Sequence, residues 1–247
     1  MIKLERTPQP SYLTHEKIKE LTEEYKSTGK SVWNNRNIKD PLLNSSYGKC
    51  AYCECDLKTS SNYMEVEHFE DKSHNPGKVV VWENLLPSCK KCNGSKGTHD
   101  VCAEPIVNPY DDNPKEHFIL RLYRLRGKTE KANNTICVTD LNNSKRLVMS
   151  RFEIGEKLDD LLDVSLERFK AYQLKKDTKT LNKLVGTIEG MLLECQAESA
   201  YSATTATILL TDLKFNNLVD ALKIEKVWKS ELENYYCAAQ LLVLDCV

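Results

Sequence analysis

Long apolar runs are missing from this 247-residue chain. No stretch reaches the roughly eighteen uncharged apolar residues that a membrane-spanning helix needs. Residues 1–6 lead into a polar segment rather than the apolar core of a secretion signal. Internal repeats and low-complexity segments are also absent. These absences argue against a membrane protein and a repeat protein, and we expect a folded protein that stays in the cytoplasm.

An excess of positive charge is the second feature that the chain lacks. Its 35 lysines and arginines face 36 acidic residues, for a net charge of −1. A protein that binds nucleic acid on its own usually holds the phosphates with a basic surface. If this chain binds nucleic acid, the phosphates must be held by local clusters or by a partner. One candidate cluster is Lys90, Lys91 and Lys96; a second, equally consistent with an ordinary solvated surface, is Arg121, Arg124, Arg126 and Lys128.

Proline is absent from residue 142 onward, where the apolar pattern becomes helical. We predict helices, one of them long or a broken pair, within residues 147–169, 181–193, 203–215 and 218–232. The apolar tail at residues 235–244 is expected to dock, either on the body of this chain or on another subunit. Near the beginning, a helix is predicted for residues 14–28, with Thr14 as its cap and Gly29 as its stop. A second short helix is predicted within residues 31–43.

Disulfides are not expected in a reducing cytosol, so we expect the ten cysteines to bind metal or to be buried. Four of them form two Cys-x-x-Cys pairs, Cys50 with Cys53 and Cys89 with Cys92. Two such pairs can close a tetrahedral zinc site with no open position for chemistry, so the metal is structural. Cys55 lies close enough in sequence to replace Cys53 as a ligand. The cysteines with no paired spacing are expected to be small buried residues: Cys102, Cys137, Cys195, Cys237 and Cys246.

The segment between the two cysteine pairs predicts strands. Polar and apolar residues alternate from Tyr63 to Phe69, as in a half-buried strand that carries His68 near its end. The apolar run at residues 79–82 predicts a second strand, and residues 93–97 predict one or two turns of helix. Further along, residues 118–125 predict a strand whose expected partner is residues 136–138.

These residues resemble the motif of the HNH endonucleases. The resemblance is carried by Glu67-His68, Asn84 and Asn93, set within the two cysteine pairs and followed by Lys96. It covers about residues 45–100 well and implies an α+β fold with a zinc-bound, treble-clef-like ββα-metal core. The expected domains are an N-terminal helical segment at 1–44, the nuclease core at 45–104, a connection with short strands at 105–141, and a helical C-terminal domain for assembly at 142–247.

The resemblance also implies a role for each motif residue. The histidine that matches His68 is the general base, whose ring a backbone carbonyl near Asn84 is expected to orient. Asn84 matches the asparagine that braces the loop carrying the histidine. Glu67 and Asn93 match the two ligands of a catalytic Mg²⁺ or Mn²⁺ ion.

Two features depart from the family pattern. Many members carry aspartate where this chain has Glu67, so either the strand sits further back or Glu65 or Glu70 substitutes as the ligand. Neighbours on a regular strand also point to opposite faces, so Glu67 and His68 can face one phosphate only if the strand ends or bulges there. We therefore expect an irregularity at this point.

A narrower likeness links the chain to one group of HNH proteins. The phrases Lys49-Cys50-Ala51-Tyr52-Cys53-Glu54, Val66-Glu67-His68-Phe69 and Asn108-Pro109-Tyr110 resemble the HNH subunit of Septu-type and retron-associated anti-phage systems. That resemblance implies DNA as substrate and an ABC-type ATPase as partner, and the C-terminal helices could support an oligomer. The alternative is a zinc-bearing nucleic-acid-binding or scaffold subunit with an inactive nuclease site. A homing or restriction nuclease acting alone is disfavoured by the near-neutral charge.

Overall fold

The chain folds into two compact units in a computed structural model that describes residues 1–58 and 63–246. The first unit comprises Met1–Phe118 and Leu125–Asn142. The second comprises Ile119–Arg124 and Asn143–Val247. No helix within the described ranges combines the length and the apolar character needed to cross a bilayer.

The described elements follow one another in this order. In the first unit they are α1 (His15–Thr28), α2 (Arg36–Asn44), β1 (Met64–His68), β2 (Leu85–Cys89), α3 (Lys90–Lys96) and α4 (Pro114–His117). Next come β3 (Phe118–Arg121), β4 (Arg124–Gly127) and α5 (Glu130–Val138). A π-helical turn, Ser144–Val148, precedes α6 (Met149–Lys175), which is followed by α7 (Thr178–Leu193), α8 (Ser202–Thr211), α9 (Leu213–Ile224), α10 (Ser230–Gln240) and β5 (Asp245–Cys246).

The first helix confirms its predicted boundaries. The Thr14 side chain accepts a hydrogen bond from Lys17 N, which satisfies one of the unpaired amides of the first turn. Gly29 ends the helix with a left-handed φ of 70°, a conformation that glycine adopts without a Cβ clash. The next helix begins at Arg36, so Trp33 lies in the link between α1 and α2 and not in the helix predicted there.

The nuclease-like core consists of two antiparallel strands and a short helix. The register of β1 and β2 is regular from Met64 opposite Cys89 to His68 opposite Leu85. The predicted second strand at residues 79–82 was wrong, because Val79 and Val80 are fully buried in the turns that lead to β2. A short buried apolar run is equally compatible with a strand and with a loop that packs into the core. The spacing of its apolar residues does not distinguish the two structures. The predicted short helix is present as α3.

The predicted strand partner at residues 136–138 was also wrong, because these residues close α5. Thr129 caps this helix by accepting a hydrogen bond from Ala132 N. The helix therefore begins at Glu130, six residues before the apolar residues 136–138. The single strand predicted for residues 118–125 is interrupted at Leu122 and Tyr123, whose φ values of 47° and 61° place both in the left-handed region. The segment therefore forms two short strands, β3 and β4.

The second unit is an α-helical body with its own core. The long predicted helix is present as α6, which has 27 residues. The helix predicted for residues 203–215 is broken at Asp212, whose side chain accepts from Lys214 N and Phe215 N and so begins α9. The C-terminal tail docks on its own unit: Leu244 is buried, its amide donates to Thr207 Oγ1, and β5 pairs in parallel with β3.

Candidate active site

The four predicted zinc ligands meet at one point in the first unit. The sulfur atoms of Cys50, Cys53, Cys89 and Cys92 all lie within 4.8 Å of one another, and all four side chains are buried. None of the ten cysteines, all of which the structure describes, is disulfide-bonded. Four buried thiols without a disulfide fit a structural zinc ion, which takes tetrahedral thiolate ligands.

The local backbone prepares this cluster for a metal. Cys89 caps α3, and its sulfur accepts a hydrogen bond from Cys92 N at 3.4 Å. Hydrogen bonds among the close-packed thiols lower the pKa of Cys89 and raise the pKa of Cys53 and of Cys92, and a bound metal would displace the protons that these thiols keep. Cys55 is buried nearby but is not one of the four converging ligands.

The remaining cysteines follow their prediction only in part. Cys195 is fully buried in the core of the second unit, as predicted. The expectation was wrong for Cys102, Cys137, Cys237 and Cys246, which are exposed. Cysteine without a pairing motif is mostly buried, but these four lie in turns, on outer helix faces or at the end of the chain, where the sequence pattern carries no burial signal.

His68 is the last residue of β1 and is almost completely buried. Its Nε2 lies 2.9 Å from the carbonyl oxygen of Val79. Because a carbonyl can only accept, Nε2 carries the proton and Nδ1 keeps its lone pair. Burial lowers the pKa of His68 to about 4, so the ring is neutral at pH 7. The expected irregularity is the end of the strand directly after His68, with no bulge before it.

Asn84 ties together the loop that follows His68. Its Oδ1 accepts from Glu70 N at 2.8 Å, and its Nδ2 donates to Glu70 O at 3.0 Å and to Lys78 O at 3.2 Å. Its own carbonyl accepts from Phe69 N at 2.9 Å. Asn84 thereby bonds the residues immediately after His68 to the turn that supplies the Val79 carbonyl. Its side chain makes these contacts from a buried position.

Glu67 is fully buried and pairs with Lys96 of α3. Lys96 Nζ lies 2.7 Å from Glu67 Oε1 and donates to the carbonyl of His68 at 2.9 Å. Burial raises the pKa of Glu67 to about 7, while the ammonium of Lys96 opposes that shift. The prediction that Lys96 binds nucleic acid does not fit this arrangement, because its ammonium is inside the protein and committed to two oxygens. Lys90 and Lys91 are exposed at the start of α3.

Replacing Lys96 with methionine is expected to destabilise the first unit by about 3–5 kcal/mol, because it leaves the Glu67 carboxylate buried without its counter-charge. Thermal or denaturant unfolding of the metal-matched variant measures the effect. Lys90→Met, on the exposed first turn of the same helix, is the control and should change stability little. The pair Glu67→Gln with Lys96→Met should recover most of the loss, and a double variant as unstable as Lys96→Met would contradict the ion-pair explanation.

Asn93 contacts Glu65 rather than Glu67. Its Nδ2 donates to Glu65 Oε2 at 2.7 Å, and both side chains are partly exposed. Because the amide nitrogen is engaged, Asn93 Oδ1 is left as the oxygen able to bind a cation. Glu70, the other alternative ligand, is paired with Lys78 at 2.5 Å. Sequence reasoning missed one further neighbour of the site: the Trp33 ring packs edge-on against His68, with ring centroids 4.5 Å apart. No spacing signal could link Trp33 to a histidine so distant in sequence.

Two antiparallel strands, a short helix and a four-cysteine cluster at their base, with a buried neutral histidine ending the first strand, define the ββα-metal fold of the HNH endonucleases. A family model described as "HNH endonuclease" matches residues 50–99 of this chain. The chain is 40% identical over 246 residues to the Septu protein PtuB of Bacillus thuringiensis, which covers 99% of this chain and 95% of that protein. It therefore belongs to the Septu PtuB family of HNH endonucleases.

Two further relatives are more distant. The Septu protein PtuB of Bacillus mycoides (strain KBAB4) is 25% identical over 204 residues, or 64% of this chain and 68% of that protein. Protein ea31 of Escherichia phage lambda is 36% identical over 80 residues, which is 31% of this chain and 26% of that protein. Similarity to the first of these extends over most of the chain, whereas similarity to the phage protein is confined to a short segment.

Proposed function

We propose that this chain hydrolyses phosphodiester bonds of DNA with a divalent cation and with His68 as the general base. The observation that carries the proposal is the fixed tautomer of His68. Its Nε2 proton is held by the Val79 carbonyl, so Nδ1 is a neutral acceptor at the end of β1. A base that takes a proton from water must be unprotonated at the working pH, and burial keeps this one so.

The oxygen-rich surroundings of His68 fit a hard cation. We assign Glu67 and Asn93 as its protein ligands, with Glu65 as the residue that orients Asn93 through its amide nitrogen. Mg²⁺ or Mn²⁺ favours such oxygen donors and, when bound, would neutralise charge on the phosphate and stabilise the leaving 3′ oxygen. In the absence of the cation, Lys96 supplies the positive charge that balances Glu67.

The other motif residues act by position. His68 Nδ1 would accept a proton from the attacking water, while the Val79 carbonyl stabilises the imidazolium that forms. Asn84 holds the residues after His68 against the turn that presents Val79, so it acts on geometry and not on the reacting atoms. Lys90 and Lys91, exposed on α3, are proposed to contact the DNA backbone.

The cellular setting is part of the same proposal. The relatives named as Septu proteins support a role in a Septu system. The resemblance of the motif phrases to the HNH subunit of anti-phage systems adds, as part of the proposal, an ABC-type ATPase as partner and the cytoplasm as location. The net charge of −1 supports a partner, because this chain alone brings little of the attraction that DNA binding needs. We propose that the C-terminal helices mediate assembly, and that the isolated chain cuts DNA weakly.

Plasmid cleavage tests the proposal, with the purified chain alone and with the ATPase subunit recovered with it from its host. We expect the zinc-loaded chain to cleave with added Mg²⁺ or Mn²⁺, not to cleave without an added divalent cation, and to cleave more in the presence of the partner. Glu67→Gln should abolish cation-dependent cleavage. Glu65→Gln removes the same charge two residues away on the same strand and should reduce cleavage less. Cleavage that continues without added Mg²⁺ or Mn²⁺, or a Glu67→Gln variant as active as the parent, would refute the assignment.

A further inference from the structure

A polar cavity of about 360 Å³ opens in the first unit beside β1. The described residues that line it include Trp33, Lys39, Tyr63, Glu65, Lys72 and Asn93. Its volume lies in the range of small-molecule sites. Glu65 and Asn93 connect the cavity to the proposed cation site. The proton transfer assigned to His68 does not involve the indole ring of Trp33 or the two lysines.

Trp33 is held firmly on one side and borders the cavity on the other. Its ring packs edge-on against His68, at an interplanar angle of 82°, and against Tyr25 of α1 at 5.6 Å between centroids. The side chain is only partly buried. A rigid, partly exposed aromatic ring next to a catalytic base has the properties of a stacking surface for a nucleobase, since every base offers a π-face.

Two lysines give the cavity a local positive excess. The ammonium of Lys72 lies 5.6 Å from the centre of the Trp33 ring, and Lys39 lines the same wall. Among the described lining residues these two face the single carboxylate of Glu65. Phosphates on either side of a stacked base would meet both ammonium groups. The chain as a whole carries no such excess, so this is a local site of the kind that its composition requires.

A stacked base would have to displace Lys72 from the ring. Contact with an exposed aromatic ring favours the cation's bound position by a factor of roughly two to five in the equilibrium constant. Stacking of one base contributes roughly 5- to 150-fold, and the displaced ammonium gains a phosphate partner. The exchange therefore favours the nucleotide.

We propose that Trp33 is the stacking surface for an unpaired nucleobase next to the scissile phosphate, with Lys39 and Lys72 binding the adjacent phosphates. The inference rests on the proposed nuclease function and adds to it the class of substrate: a strand that is unpaired where it is cut. Trp33 is a binding residue and takes no part in proton transfer.

Oligonucleotide binding by the zinc-loaded chain, in buffer without Mg²⁺ or Mn²⁺, tests this inference without cleavage. Fluorescence of the full chain should be quenched by an unpaired oligonucleotide, and Trp33→Phe should remove most of that quenching while keeping a ring and most of the affinity. Trp228→Phe, in the second unit, is the control and should leave it intact. Measured by anisotropy, Trp33→Ala should weaken binding by roughly 5- to 150-fold. Lys72→Ala should reduce the slope of the logarithm of the binding constant against the logarithm of the salt concentration by about one, as expected for the loss of one phosphate contact.

An abasic series separates stacking from a structural effect. An oligonucleotide that lacks the stacked base should bind the parent and Trp33→Ala equally. DNA and RNA of the same sequence are compared, and the polymer that shows the larger Trp33-dependent quenching is the one that the site accepts. If Trp33→Ala binds as tightly as the parent and only slows cleavage, Trp33 merely positions His68 and the inference is wrong. The inference is also wrong if duplex and unpaired strands bind with equal affinity and Trp33→Ala weakens the binding of neither.

The two proposals fail separately. A zinc-loaded chain that shows the Trp33-dependent binding without Mg²⁺ or Mn²⁺ and never cleaves DNA with any divalent cation would contradict the nuclease proposal alone. A chain that cleaves through His68 but binds independently of Trp33 would contradict the stacking surface alone.

Discussion

Cys92→Ser is expected to lose the zinc and, with it, the ordered pairing of β1 and β2. Structural zinc contributes about 10–16 kcal/mol to the folding of small metal modules, a larger effect than any other single contact in this unit can supply. Both strands depend on the cluster directly, because Cys89 is the last residue of β2 and pairs with Met64, the first residue of β1. Hydrogen exchange of the amides at residues 64–68 and at Leu85, Leu86, Ser88 and Cys89, with metal analysis of the same sample, measures the effect.

The cysteines outside the cluster provide matched controls. Cys102→Ser changes an exposed cysteine of the same unit and should keep about one zinc per chain. Cys55→Ser should also keep it, because Cys55 is not one of the four converging ligands. Parent-like zinc content and amide protection in Cys92→Ser would show that the cluster does not hold the fold together. Loss of zinc in Cys55→Ser would instead make Cys55 a ligand.

His68→Ala is expected to reduce DNA cleavage by about 10²- to 10⁴-fold, the usual contribution of a general base. The variant removes Nδ1, the ring nitrogen left as an acceptor because Nε2 donates to the Val79 carbonyl. Single-turnover cleavage with saturating cation measures the chemical step. Because the pKa of His68 is lowered to about 4, its protonation should begin to limit the rate only as the pH falls toward that value.

His74→Ala is the control for this effect. His74 lies in the loop after the site, exposed and beside Asp71, so its removal should leave the rate close to that of the parent. His68→Gln keeps a hydrogen-bond donor for Val79 without a basic nitrogen, and it should be as inactive as alanine while preserving the local fold. An active His68→Gln variant would show that the ring acts as a spacer and that the proton goes elsewhere.

The parts of the site that the sequence predicts are those in which chemistry is tied to local spacing. Two Cys-x-x-Cys pairs restrict where a metal can bind, so the four zinc ligands could be predicted from the sequence alone. The alternation from residue 63 to 69 placed His68 at the end of a strand, as the structure has it. Helix caps are similarly local, and Thr14 and Gly29 fixed both ends of α1.

The parts that the sequence does not predict depend on contacts made at long range. Lys96 looks like a phosphate-binding lysine beside Lys90 and Lys91, and only the packing of α3 on β1 turns its ammonium inward to Glu67. Trp33 reaches His68 across the fold from a link between helices, where no periodicity marks it. The run at residues 79–82 has the composition of a strand, but its amides and carbonyls are used in turns that deliver Val79 to His68.

The most direct test of His68 as the general base is cleavage of a plasmid and of an unpaired oligonucleotide by zinc-matched samples of the parent and His68→Ala, each with Mg²⁺ and without added divalent cation, with the proposed partner subunit present. We expect that only the parent in Mg²⁺ cuts the DNA, leaving 5′-phosphate and 3′-hydroxyl ends because water attacks and the 3′ oxygen leaves. Equal cutting by His68→Ala, or no cutting of either DNA by a folded, zinc-loaded parent with the proposed partner present, would contradict this role.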